Sequence, residues 1–211
     1  MFSFSADNRF FQFVNRLIDV LFLNLLFLSF SLPIVTAGAS LTAAHAVALK
    51  MVDDEEGYLF RTFWKAFREN FLNATLLWLA NAAVAYALWI DWQIVAKAAE
   101  PPVPAIVAGA IVAVISFCVF TYAYPLLARY ENTLPNTVKN ALRIAFRFPA
   151  KTALLFALLA LEAAVFLWNV PMLVAGSLIG PMIAVYTVSG VSKRIFQKIE
   201  SENEARSSGG A

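Results

Sequence analysis

The most regular feature of the chain is a series of apolar runs separated by short polar segments. Six runs approach or exceed the length needed to cross about 30 Å of hydrocarbon at about 1.5 Å per residue. They cover residues 17–32, 34–51, 74–95, 103–126, 152–168 and 172–190. The second run is diluted by Thr36, Ser40, Thr42 and His45, so it is interpreted either as a full span or as a re-entrant or interfacial segment. The pattern predicts an all-α membrane protein with about six transmembrane helices.

Basic residues alternate with these runs. Lysine and arginine cluster before the first run and after the second, fourth and sixth, whereas the remaining connections contain only Lys97. The side of a membrane that carries the excess of Lys and Arg is normally the cytoplasmic side. Six spans satisfy every cluster, so we expect a multi-pass protein with both termini in the cytoplasm. Five spans would leave Arg9 and Arg16 on the external side.

A short motif recurs at the three predicted external turns. Each copy reads P-x-x-x-A-G and begins a returning run; the copies start and end at Pro33 and Gly38, Pro104 and Gly109, and Pro171 and Gly176. Proline is tolerated in the first turn of a helix because its missing N–H would have no partner there. A small residue one turn later lets a neighbouring helix approach closely. The motif therefore predicts three repeated transmembrane hairpins.

A basic stripe precedes each predicted hairpin. The stripes consist of Arg9 and Arg16, then Arg61, Lys65 and Arg68, and finally Lys139, Arg143 and Arg147. Spacings of three and four place each set on one helical face, and apolar or aromatic residues lie opposite. This pattern is typical of an amphipathic helix in the headgroup plane. We therefore predict one transmembrane domain over residues 1–199, with units at about 7–51, 58–126 and 136–190, and a disordered cytoplasmic tail over 200–211.

Composition narrows the class of protein further. Of 211 residues, 61% are hydrophobic and 14% are charged, whereas soluble domains carry about 25% charged residues. A soluble enzyme, a nucleic-acid binder and a disordered linker are all disfavoured. The chain contains one cysteine, Cys118, and one histidine, His45, so an internal disulfide or a multi-histidine metal site is excluded. We expect no cofactor and no metal.

Glu162 is the sharpest candidate for a functional site, because it lies near the middle of the fifth run. A charged carboxylate at that depth costs about 2.5–3.5 kcal/mol on insertion scales, so it must be protonated, paired or in contact with water. It is therefore either a proton or substrate site or a structural hydrogen bond to a neighbouring helix or subunit. His45 either pairs with Glu162 or hydrogen-bonds locally.

Asn24 and Asn81 lie inside the first and third runs. Interhelical hydrogen bonds of such side chains contribute about 0.6–2 kcal/mol in membranes, so a structural role is the default interpretation. The chain has no glycine-rich phosphate loop, no H-E-x-x-H, no G-x-S-x-G and no carboxylate pair at ligand spacing. We therefore expect no catalytic residues and no enzymatic activity.

Two stretches resemble a known family. Residues 24–28 (NLLFL) and 31–39 (SLPIVTAGA) resemble the signature of the YesL-like membrane proteins, domain of unknown function 624, and residues 63–75 are similar to its second block. The resemblance implies a small protein of the bacterial cytoplasmic membrane. Genes of this family often lie beside carbohydrate importer genes, which implies a link to sugar uptake or its regulation. The family supplies no reaction and no functional residues.

Two functions remain open from the sequence. One is an accessory protein of an ABC-type carbohydrate importer, whose partners are the lipid bilayer and the importer subunits. The other is a small transporter or channel in which Glu162 and His45 line a route that more than one copy of the chain forms, which makes the protein a homo-oligomer. We expect no nucleic-acid partner in either case. The two hypotheses differ in whether Glu162 faces a hydrated cavity or a helix seam.

Overall fold

All the regular elements that the structure describes are helices. The structure is a computed structural model that describes residues 9–52, 58–98, 100 and 102–208. A 3-10 turn, Ile34–Thr36, precedes α2. The helices are α1 (Arg9–Ser31), α2 (Ala37–Met51), α3 (Leu59–Lys97), α4 (Val103–Arg129), α5 (Leu134–Arg147), α6 (Pro149–Phe166) and α7 (Val170–Ser208).

The membrane-protein prediction is confirmed by the lengths of these helices. Five are long and apolar enough to cross a membrane, and a sixth span is reached if the two bent halves of α7 count as one. The halves, Val170–Ser177 and Ile179–Ala205, meet at 60°. Pro181 lacks an N–H for the carbonyl one turn before it, which weakens the helix at this point. The grouping into three repeated units stays a prediction.

Helix α2 is the centre of the bundle. It contacts α1, α3, α4 and α7, and most of its residues are buried. Many of them are small, including Ala39, Ala43 and Ala44, so the surrounding helices can approach closely. Three of the polar residues that dilute the second apolar run, Ser40, Thr42 and His45, are therefore surrounded by protein instead of lipid.

The second basic stripe does not lie on a separate helix, contrary to our expectation. Arg61, Lys65 and Arg68 lie on the first turns of α3, which continues without a break to Lys97. Residues 69–73 contain neither glycine nor proline, so nothing stops the helix from propagating. Arg9 and Arg16 lie in the same way on the continuous helix α1.

The third stripe does lie on a helix of its own, α5. The residue that separates α5 from α6 is Phe148, which has φ −123° and ψ 60° and precedes Pro149. A residue before proline is disfavoured in helical conformation, so the chain breaks here. The buried face of α5, which includes Ala141, Ile144 and Ala145, packs largely against α4.

The aromatic residues of the second stripe also differ from the prediction. Phe63 and Phe67 are buried, and Phe30 of α1 packs against Phe63, Trp64 and Phe67 with ring centroids 5.2–5.6 Å apart. The first hairpin therefore covers Phe63 and Phe67, which the sequence pattern assigned to the membrane. Phe60, Trp64 and Phe71 on the same part of α3 remain exposed.

The tail predicted to be disordered is helical as far as the structure describes it. Helix α7 runs through residue 200 to Ser208, and residues 209–211 lie outside the described part. Glu200 and Glu202 form ion pairs with Arg129 and Arg147. Polar composition suggested disorder because the tail cannot bury apolar surface, but these charge pairs hold it against the ends of α4 and α5. We call this end of the bundle, which also carries Lys50 and Arg68, the basic end.

Candidate functional site

His45 lies in the seam between α2 and α7. Its side chain is 3% exposed, and its Nδ1 lies 2.8 Å from Oγ of Ser189 in a buried hydrogen bond. The hydrogen-bond partner of His45 is therefore Ser189 and not Glu162, the partner considered from the sequence. The contact joins two helices that are distant in sequence, so it contributes to the arrangement of the core.

Glu162 lies in the seam between α6 and α7. Its side chain is half-buried, and Oε1 is 3.7 Å from the position that a Cβ on Gly180 would occupy. Gly180 lies just beyond the bend in α7, so a carboxyl group and an irregular stretch of helix are brought together.

The two asparagines occupy helix seams as well. Asn24 is buried in α1, with 3% of its surface exposed. Asn81 Nδ2 donates to the Leu77 carbonyl of its own helix at 3.1 Å, and Ser116 of α4 donates to Asn81 Oδ1 at 3.5 Å. His45 thus lies between α2 and α7, Glu162 between α6 and α7, and Asn81 between α3 and α4, so these three candidates occupy different seams.

The three motif glycines each lie at a close contact. A Cβ on Gly38 would collide with the Ala74 carbonyl oxygen of α3, one on Gly109 would lie 2.6 Å from Asp91 Oδ2, and one on Gly176 would lie 2.5 Å from Phe166. The prolines are less equivalent. Pro104 and Pro171 lie within the first turn of α4 and α7, whereas Pro33 is extended and precedes the 3-10 turn. The same motif therefore serves three different contacts.

The basic stripes expose most of their charge. Arg16, Arg61, Lys65 and Arg68 are exposed, as are Lys139, Arg143 and Arg147 on α5. Lys65 lies 3.9 Å from Glu69, one turn further along α3. The described side chains of these stripes are thus exposed positive charges on α1, α3 and α5.

One cluster at the basic end was missed from the sequence. Glu200 accepts two hydrogen bonds from Arg129, at 2.9 and 3.1 Å, and one from the Tyr130 hydroxyl at 2.5 Å. The Arg129 guanidinium also lies over the rings of Tyr130 and Phe196. Burial raises the pKa of Tyr130 to about 12, and the bond to Glu200 acts in the same direction, so the hydroxyl remains a donor at neutral pH. The sequence signal that could have predicted this cluster was the presence of acidic residues in the C-terminal tail and of basic residues after the fourth apolar run.

Metal chemistry finds no support in the described residues. No group of three or more His, Cys, Asp or Glu in that part of the chain could hold a metal ion. Cys118, the single cysteine, is buried in α4.

These features define a polytopic helical membrane protein whose polar side chains lie between helices. The family model DUF624, described as a protein of unknown function, matches residues 20–92. It is the YesL-like family, so the resemblance seen in the sequence is confirmed over the segment from α1 to most of α3. No curated protein and no solved structure matches the chain.

Proposed function

We propose that this protein is an integral membrane accessory protein associated with ABC-type carbohydrate uptake or its regulation. The observation that carries the proposal is the use of the candidate polar groups in helix seams. His45 bonds to Ser189, Asn81 bonds to Ser116, and Glu162 lies against α7. Polar side chains that contact neighbouring helices in this way stabilise the bundle, as expected of a protein that acts through contacts with other proteins. The proposal assigns no reaction and no cofactor.

The carbohydrate part of the proposal rests on the family resemblance. A partner contact is supported by exposed basic residues on two helices, Arg61, Lys65 and Arg68 of α3 and Lys139 and Arg143 of α5. Such a surface suits an acidic face on an importer subunit, because complementary charge steers association and fixes register.

Affinity purification from the native membrane in mild detergent, followed by mass spectrometry, tests the proposal. We expect stoichiometric recovery of carbohydrate importer subunits with the tagged chain. The triple variant Arg61→Gln, Lys65→Gln, Arg68→Gln should lose them, whereas Lys97→Gln, which removes an exposed charge from the opposite end of α3, should retain them. Recovery of the folded chain without importer subunits would overturn the proposal.

A second candidate function, a small transporter or channel, is favoured by the bend in α7 beside Glu162. Many transporters bind ions or substrates where a broken helix meets a polar side chain near the membrane midplane. Flux into vesicles reconstituted with the purified chain tests this function. It requires that Glu162→Gln abolish flux while Asp91→Asn, a carboxylate between α3 and α4, does not. Unchanged flux in Glu162→Gln would exclude a midplane carboxylate site.

A further inference from the structure

The packing register of the first hairpin, formed by α1 and α2, differs from that of the other two. Gly38, at the start of α2, packs against the Ala74 carbonyl oxygen and lies close to Trp78 of α3. Helix α3 then continues from Trp78 to Lys97, nineteen residues further, which is about 28 Å of helix. The turn of the first hairpin therefore lies near the middle of α3, far from its C-terminal end.

The other two hairpins reach that end. Asp91 of α3 lies against Gly109 of α4, close to the α3–α4 turn. Helix α6 follows the same part of α4: Tyr122 bonds to Thr152 at 2.9 Å, and the rings of Phe117 and Phe156 are 5.2 Å apart. Phe166 lies ten residues beyond Phe156, or about 15 Å along the helix, which brings the α6–α7 turn toward the start of α4.

The turn of the first hairpin also has the surface of a segment in hydrocarbon. Leu32 is 82% exposed, Ile34 75% and Val35 53%, so the three large apolar residues that flank Pro33 lack cover in the described structure. By contrast, the far end of α3 exposes Lys97, and Glu100 follows it. The α6–α7 turn is also apolar, with Leu167 71% and Val170 73% exposed, so an apolar surface makes the first turn compatible with lipid, and the packing register is what distinguishes it.

The hydrogen bonds of this turn are also compatible with a position in hydrocarbon. The Thr36 hydroxyl bonds to the Phe30 and Pro33 carbonyls at 2.7 and 2.8 Å, and the Ser40 hydroxyl bonds to the Phe27 carbonyl at 2.9 Å. Carbonyls at the end of a helix have no helical partner, and in hydrocarbon water cannot supply one. The Phe30 carbonyl is such a group, and the Thr36 hydroxyl satisfies it. The Pro33 carbonyl also accepts the Thr36 N–H, and the Phe27 carbonyl lies one turn inside α1, so the hydroxyls add a second bond there.

We infer that the first hairpin is re-entrant: it enters the membrane from the basic end, and its apolar turn at Pro33 lies in the hydrocarbon. The turn does not reach the face that bears the α3–α4 connection. The chain then crosses the membrane completely four times, through α3, α4, α6 and α7. Both ends of the hairpin lie on the same side, so the alternation of basic clusters is satisfied as well as it is by six spans. The inference is independent of the proposed function.

Cysteine accessibility in intact cells tests this topology. Cys118 is the single cysteine and is buried, so Cys118→Ser provides the background for Leu32→Cys, Lys97→Cys and Arg68→Cys. A membrane-impermeant maleimide should label Lys97→Cys in intact cells and Arg68→Cys after permeabilisation. Leu32→Cys should stay unlabelled in both conditions and react once the membrane is dissolved in SDS, because lipid and not protein covers it.

Two outcomes would overturn the inference. Labelling of Leu32→Cys in intact cells to the extent of Lys97→Cys would show that the turn reaches the far face and that α1 and α2 are full spans. Labelling of Leu32→Cys after permeabilisation, to the extent of Arg68→Cys, would show that the turn of the hairpin lies outside the bilayer. An environment-sensitive fluorophore on Leu32→Cys in reconstituted vesicles gives a positive readout: we expect quenching by brominated lipids and protection from aqueous iodide.

Discussion

Helices α2 and α6 have similar lengths and are both predominantly apolar, yet their surroundings are opposite. Of the 18-residue window Ile34–Met51, 61% is buried within the protein, against 6% of Pro149–Phe166. Leu155 is the one fully buried residue described in α6, whereas α2 is enclosed by four helices. An apolar helix can therefore either be buried among other helices or face lipid. Burial requires small residues, because they allow close contacts between helices, and α2 is rich in small residues.

The largest effect is expected at the α2–α3 contact. Gly38→Ala would place a Cβ against the backbone of α3, and overpacking of this kind costs about 1–3 kcal/mol. Gly190→Ala in α7 is the matched control, because a Cβ there meets nothing within 4 Å and alanine is the better helix former. Thermal unfolding in detergent should show a clear loss for the first variant and no loss for the second. Equal stabilities would mean that α2 is not tightly packed.

The His45–Ser189 hydrogen bond should give the next largest effect. A double-mutant cycle of His45→Ala and Ser189→Ala measures the coupling directly, and bonds of this kind contribute about 0.6–2 kcal/mol between membrane helices. Ser192→Ala serves as the control cycle, because the Ser192 hydroxyl is buried on the same helix and has no hydrogen-bond partner in the described structure. Coupling as large for Ser192 as for Ser189 would refute the proposed pairing.

A smaller effect is expected at the basic end. Glu200→Gln removes the ion pair with Arg129. Both side chains of this pair are partly exposed, so the free energy of unfolding should fall by about 0–1 kcal/mol. The visible change should be faster hydrogen exchange at residues 200–208, and high salt should produce similar exchange in the unmodified chain. Glu204→Gln, one turn further on an exposed position, is the control. Exchange that is already fast in the unmodified protein would restore the disordered tail predicted from composition.

The smallest effect is expected on the outer face of α6. Leu161 is 61% exposed, so in Leu161→Ala both the original and the new side chain face lipid. The unfolding temperature in lipid nanodiscs should therefore change very little. A matched substitution at the buried Leu155 should be clearly destabilising. A loss at Leu161 as large as that at Leu155 would indicate that another chain covers α6, and measurement of the oligomeric state would then follow.

Particular residues show how far the sequence could be interpreted. Gly38, Gly109 and Gly176 were selected as close-contact positions from a six-residue motif, and each does lie against a neighbouring residue. The neighbours themselves, Ala74, Asp91 and Phe166, could not be named, because helical periodicity defines a face but not the register of the helix that packs on it. The position of the break between α5 and α6 was not predicted, although Pro149 is a local signal for it. The partners of Glu200 lie about 70 residues away along the chain, so no local signal names them.

The sequence by itself determined the class of protein, the positions of the apolar helices and the alternation of charge. Each of these follows from transfer free energies and local propensities, which are properties of short segments. The tertiary structure alone decided that α2 is a core helix, that His45 pairs with Ser189, and that the turn at Pro33 lies beside the middle of α3. Hydropathy is high for a segment in lipid and for a segment in a protein interior alike, so only the packing of distant helices distinguishes the two.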